Sequence, residues 1–162
     1  VKLQVQPERW QCAVTAFAMA LAVPVTDLIG TVGHDGGEII FPDLPEPTNR
    51  HGHSIYELIW AAIDMGYAVT PVPVYPGIKP APDSTCEHAI GTEIRNWQRF
   101  RRHLHGSAGV IECYGPKGNH VVAYDHGRIF DPRGHEFHYL REVCEEKGLY
   151  TNCLWRVDRI EN

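Results

Sequence analysis

The sequence has no apolar run long enough to cross a bilayer, and no membrane span is expected. It has no excess of positive charge. Lysine and arginine number 15 against 20 acidic residues, a formal net charge of −5, whereas nucleic-acid binders carry a basic balance. No nucleic-acid partner is expected. It also lacks closely spaced cysteines. The five present are odd in number and scattered, so they do not form the framework of a disulfide scaffold. That favours a reducing, cytoplasmic setting with at least one free thiol. No signal peptide, internal repeat or low-complexity tract is visible.

What is present is ordinary globular composition, 43% apolar and 22% charged over 162 residues. That length suits one domain, 1–162, with a full core. Residues 1–7 read as an extended entry. Cys12 to Val23 reads as a helix apolar nearly all round, which belongs in a core. Pro24 breaks it, and Thr26–Ile29 reads as a short second helix. Gly33 to Gly52 is rich in glycine, proline, histidine and acid, and reads as a long loop beside a cleft. Ser54 and Glu57 form a capping box, followed by the amphipathic set Ile55, Leu58, Ile59, Ala62 and Ile63, with Gly66 at its left-handed end. Tyr67–Tyr75 is strand-like, and 76–92 is a second loop. Glu93–Leu104 reads as a helix with Ile94, Trp97, Arg101 and Leu104 on one face. Ala108–Cys113, Asn119–Tyr124 and Arg128–Phe130 read as strands. A helix is expected near Leu140–Glu146 and a final strand at Cys153–Val157. Helices first and an antiparallel sheet after them make an α+β layout.

Three residues carry chemistry. Cys12 opens the apolar helix, where the positive end of the helix dipole lowers a thiol from its usual pKa of about 8.5. Asp125-His126-Gly127 is a turn signal between two strand-like runs. A hairpin closed there sets His120 opposite Asp131 or its neighbour, and directly opposed Cβ atoms lie about 5 Å apart. The carboxylate then orients the imidazole and fixes its tautomer. Thiol, imidazole and acid are the parts of a cysteine nucleophile site. Taken singly, each has a plainer reading: a buried cysteine, a strand histidine and a turn-forming aspartate before Pro132. Acyl transfer also needs donors for an oxyanion. The Cys12 N–H is one. Gln4, Gln6 and Gln11 are all available as the second, and Gln6 is the one placed to fold back across a cleft.

In these residues the chain resembles the papain-like cysteine peptidases, and in detail the double-glycine-leader peptidase domain of bacteriocin-exporting ABC transporters. That family has a glutamine six positions before the nucleophile, here Gln6 and Cys12. A cysteine and a small residue open its apolar helix, here Cys12 and Ala13. Later come a histidine with apolar strand residues, His120-Val121-Val122, a short turn, and Asp131-Pro132. Gln11 and Ala13 stand where the family usually has an acid and a glycine. The resemblance implies a papain-like fold, with N-terminal helices packed on an antiparallel sheet. It also implies a stand-alone peptidase that acts on a peptide or protein through a thioester on Cys12. In that scheme His120 is base and acid, Asp131 orients it, and Gln6 holds the oxyanion.

Deamidases, transglutaminases and acyltransferases use the same thioester chemistry. A binding or inhibitor protein, such as a phage or pathogen deploys, is the non-enzymatic alternative. No cofactor is called for. His34, Asp35, His51 and His53 offer metal-ligand types, but they lie in a loop without a second ligand pair of zinc spacing, and no metal is expected. Arg95, Arg99, Arg101 and Arg102, with Trp97 and Phe100 interleaved, read as a solvated helix face with its aromatics turned inward. Cys86, Cys113, Cys144 and Cys153 read as core or incidental thiols.

Overall fold

The computed structural model describes residues 1–73, 90–115, 118–139 and 150–161. Helix α1 (Cys12–Ala20) buries every residue from Ala13 to Met19, as a helix apolar on all sides must. Helix α2 (Val25–Val32) follows Pro24 and ends at Gly33 in a left-handed conformation. It is longer at both ends than the short helix read from Thr26 to Ile29. Helix α3 (Ile55–Asp64) carries the full capping box: Glu57 N–H donates to Ser54 Oγ, and Ser54 N–H donates back to the Glu57 carboxylate.

Six strands form one antiparallel sheet in the order β1-β6-β2-β3-β4-β5. They are β1 (Tyr67–Pro73), β2 (Ala108–Gly115), β3 (Gly118–Asp125), β4 (Arg128–Asp131), β5 (His135–His138) and β6 (Tyr150–Arg159). Successive residues of β3 divide between two cores. Val121 and Ala123 join α1, α2 and α3 in one cluster, with Val110, Phe130 and Val157. Val122 and Tyr124 join Phe100 and Leu104 of helix α4 (Ile90–Gly106) in the other, with Ile111, Ile129 and Leu154. The sheet therefore has α1–α3 on one face and α4 on the other. No single helix among the described residues is long and apolar enough to cross a membrane.

Several expectations need correction. Helix α4 begins at Ile90, inside the stretch read as loop. Its described buried positions are Phe100 and Leu104, four apart, while Arg101 is exposed with Arg99 and Arg102. Strand β5 was not anticipated. It is a short edge strand, mostly exposed and mostly polar, so it shows no alternation to read. Strand β1 runs through Pro71, which an edge position tolerates. Residues 74–75 at the end of the expected first strand, the rest of the second loop (76–89) with Cys86, the helix expected near 140–146 with Cys144, and the side chains of Ile94, Arg95 and Trp97 lie outside what is described.

Two features steer the site. His126 and Gly127 form a two-residue hairpin loop with both φ positive, at 47° and 87°, the geometry that matches strand twist. A Cβ on Gly127 would meet the His105 ring at 2.5 Å, so glycine is required there twice over. The loop 33–52 is closed at its neck by Gly36 and Gly52. Gly52 N–H donates to Gly36 O at 2.9 Å, and a Cβ on Gly36 would lie 2.5 Å from Gly52 O.

Candidate functional site

Cys12 is the first residue of α1, and no side chain caps that helix. Its backbone N–H has no intrahelical acceptor. The His120 imidazole and the backbone N–H groups of Val121 and Ala13 lie where they favour the charged form of the sulfur. Burial pushes the thiol pKa up. The hydrogen bond and charge of His120 and the two backbone donors outweigh burial, and the thiol ends below its ordinary value.

His120, on β3, bonds through Nε2 to Asp131 Oδ1 at 2.8 Å. That leaves Nδ1 as the nitrogen for the sulfur. Burial lowers the imidazole pKa, but the bonds to Asp131 and Cys12 prevail and raise it from 6.5 to about 9. Asp131, at the end of β4, is 4% exposed. Burial raises its pKa. The His120 bond and the Arg133 N–H at 2.9 Å bring it down to about 2. Arg133 Nε adds a longer contact to the same oxygen, 3.4 Å. The carboxylate thus serves both readings made from sequence, since it holds a turn through Arg133 N–H and an imidazole through Nε2.

The hairpin register differs from a direct pairing. The β3–β4 ladder runs Asp125↔Arg128, Tyr124↔Ile129, Ala123↔Phe130. Continued one step, it sets Asp131 opposite Val122, and the carboxylate reaches His120 diagonally. Asp125 lies at the turn and bonds to His126.

The three glutamines have separate positions. Gln6 N–H donates to Pro132 O at 2.8 Å, which lays the N-terminal segment beside the residue after Asp131. Its Oε1 is buried without a partner, so the amide can turn without losing a bond at that oxygen. Gln4 accepts from Val25 N–H at 3.0 Å and donates to Val23 O at 2.7 Å, clamping the α1–α2 junction. Gln11 donates to Asp35 O at 3.0 Å and binds the long loop to the start of α1.

Trp10 Nε1 donates to the same Asp35 carbonyl, and Arg50 lies over the Trp10 ring. The loop histidines stack: His34 lies 4.9 Å from His53 and 5.2 Å from His51, centre to centre. His34 accepts from Gly36 N–H and faces Glu57, and His53 Nε2 donates to His34 O. Among the described residues, no three His, Cys, Asp or Glu side chains converge as a metal would require. Two contributors to the site were missed from sequence: the Val121 N–H on the sulfur and Arg133 on Asp131. The turn after Asp131-Pro132 was a signal for Arg133. A backbone donor has no residue-type signature, so Val121 had none.

No family model and no curated protein matches the chain. Among solved structures it is similar to the crystal structure of a double glycine motif protease from an AMS/PCAT transporter in complex with the leader peptide. The TM-score is 0.57 at 14% identity, over 98% of this chain and 91% of that one. At that identity the likeness is one of fold: the chain has an α+β, papain-like fold.

Proposed function

We propose that residues 1–162 form one papain-like domain that hydrolyses a peptide or protein through a thioester on Cys12. The observation that carries this reading is the His120–Asp131 hydrogen bond with Cys12 beside the same imidazole, the thiol pKa lowered and the imidazole pKa raised. In the resting site the thiolate faces an imidazolium. The sulfur attacks the substrate carbonyl, and His120 passes its proton to the leaving amine. His120 then takes a proton from the water that cleaves the thioester, and the thiolate returns. Asp131 holds the ring in the tautomer this needs. The Cys12 N–H and the Gln6 amide receive the oxyanion. A peptide is the substrate class proposed because the fold neighbour holds a leader peptide and because the leaving group needs the proton His120 carries.

The test is selective alkylation. Iodoacetamide is expected to modify Cys12 fastest of the five cysteines, with fast modification persisting well below about pH 8.5, the ordinary thiol value. Cys113 is buried, and Cys153 has its thiol pushed up to about 11 by burial and the charge of Glu112, so neither should compete. His120→Ala should slow modification of Cys12. Mass spectrometry that finds Cys12 unmodified while other thiols react would overturn the reading.

A further inference from the structure

Glu112 is a half-buried carboxylate with no part in the chemistry above. It lies on β2 two residues from Val110, so the two share a face. Val110 packs in the cluster built on α1, which makes that the α1 face of the sheet. Across the β2–β3 ladder Glu112 pairs with Val121, whose backbone N–H is among the groups that favour the Cys12 thiolate. Opposed residues have Cβ atoms about 5 Å apart. The carboxylate therefore stands one strand away from a group that stabilises the charged form of the nucleophile.

One carboxylate oxygen is occupied: Trp155 Nε1 donates to Oε2 at 2.8 Å. No ion pair among the described residues involves Glu112. Its charge is felt across β6, where it helps to raise the facing Cys153 thiol. The carboxylate is half-buried rather than enclosed, so an incoming cation could reach its second oxygen. As an acceptor for Trp155 alone, a glutamine would serve equally well, so the negative charge itself calls for a partner.

We infer that Glu112 selects a lysine or arginine side chain of the substrate beside the reacting carbonyl. This rests on Cys12 being the nucleophile proposed above, and the experiment separates the two. Cys12 is modified with a cationic and with an anionic methanethiosulfonate, in the intact chain and in Glu112→Gln. The glutamine keeps an acceptor for Trp155. The rate at the Cys12 peptide is read by mass spectrometry. The cationic reagent is expected to react faster, and Glu112→Gln should reduce the cation-to-anion rate ratio on the order of tenfold, with an unchanged melting temperature. Quenched peptides that differ only by lysine, norleucine or glutamate at each position should show a lysine preference at one position, lost in Glu112→Gln. A fast Cys12 with the same rate ratio in both proteins would overturn the role of Glu112 and leave the hydrolase reading standing. A Cys12 slow toward both reagents and indifferent to His120→Ala would remove that reading, and the inference with it.

Discussion

Gln6, Gln4 and Gln11 all lie just before Cys12, and only their surroundings tell them apart. Gln6, whose backbone N–H is bonded to Pro132 O, has a buried amide oxygen without a partner, whereas Gln4 and Gln11 spend their amides on Val23, Val25 and Asp35. Gln6→Ala is therefore expected to lower turnover about 10²–10³-fold with little change in melting temperature. Gln4→Ala loses two hydrogen bonds at the α1–α2 junction and should cost about 1–2 kcal/mol of stability. Sequence alone suggests mild effects at Gln4 and Gln11. Their hydrogen bonds change that expectation to a loss of stability rather than of chemistry. Measuring turnover and thermal melting on all three variants checks it, and equal turnover losses at all three would mean the N-terminal segment had merely come loose. Cys12, His120 and Asp131 could be nominated from sequence as candidate site residues because each is a distinctive side chain at a position marked by a helix start, a strand or a turn. Val121 and Glu112 were not legible. One acts through its backbone, and the other matters only because the β2–β3 register sets it opposite Val121.

Among the elements, local signals read well and tertiary ones did not. The Ser54–Glu57 box is an interaction within four residues, and it is present in full. Ser54→Ala should cost about 1 kcal/mol, read as a lower urea midpoint with an unchanged slope, because only the first turn of α3 loses a partner. A change in slope would mean that the loop 33–52, tied to α3 through His34 and Glu57, had loosened as well. The His126–Gly127 turn was equally local. The diagonal reach from Asp131 to His120 needed the register, which a two-residue slip alters while every side chain keeps its face. Strand β5 was invisible because an exposed edge strand needs no apolar face. The inward face of α4 is decided by which side meets the sheet, and with Arg101 exposed the buried pair is Phe100 and Leu104.

For the molecule as a whole, the order of helices and strands was enough to expect α+β, but not to place α4 on the far face of the sheet. The same architecture holds Cys12 and His120 partly, and Asp131 fully, out of water, and so makes stability depend on pH. Asp131 is lowered from 3.8 to about 2, so its contribution is full above 3.8 and is lost as pH falls through about 2. His120 is raised from 6.5 to about 9, so its contribution is full below 6.5 and is lost as pH rises through about 9. Cys12 is lowered from 9.0, so its contribution is full above 9.0 and is lost as pH falls through its folded value. Between 6.5 and 9 the last two oppose each other. Where the folded ion pair is formed it binds a single proton, as do the neutral thiol and neutral imidazole of the unfolded chain, so the two contributions offset each other. Cys12→Ala removes one side of the balance while Asp131 still holds His120 charged. Its stability should fall more steeply than that of the parent protein as pH rises from 6.5 through the folded His120 value. Denaturant midpoints of both proteins across that range provide the measurement. Parallel curves would mean that His120 is uncharged in the folded protein, and the thiolate–imidazolium pair would then be lost as the resting state.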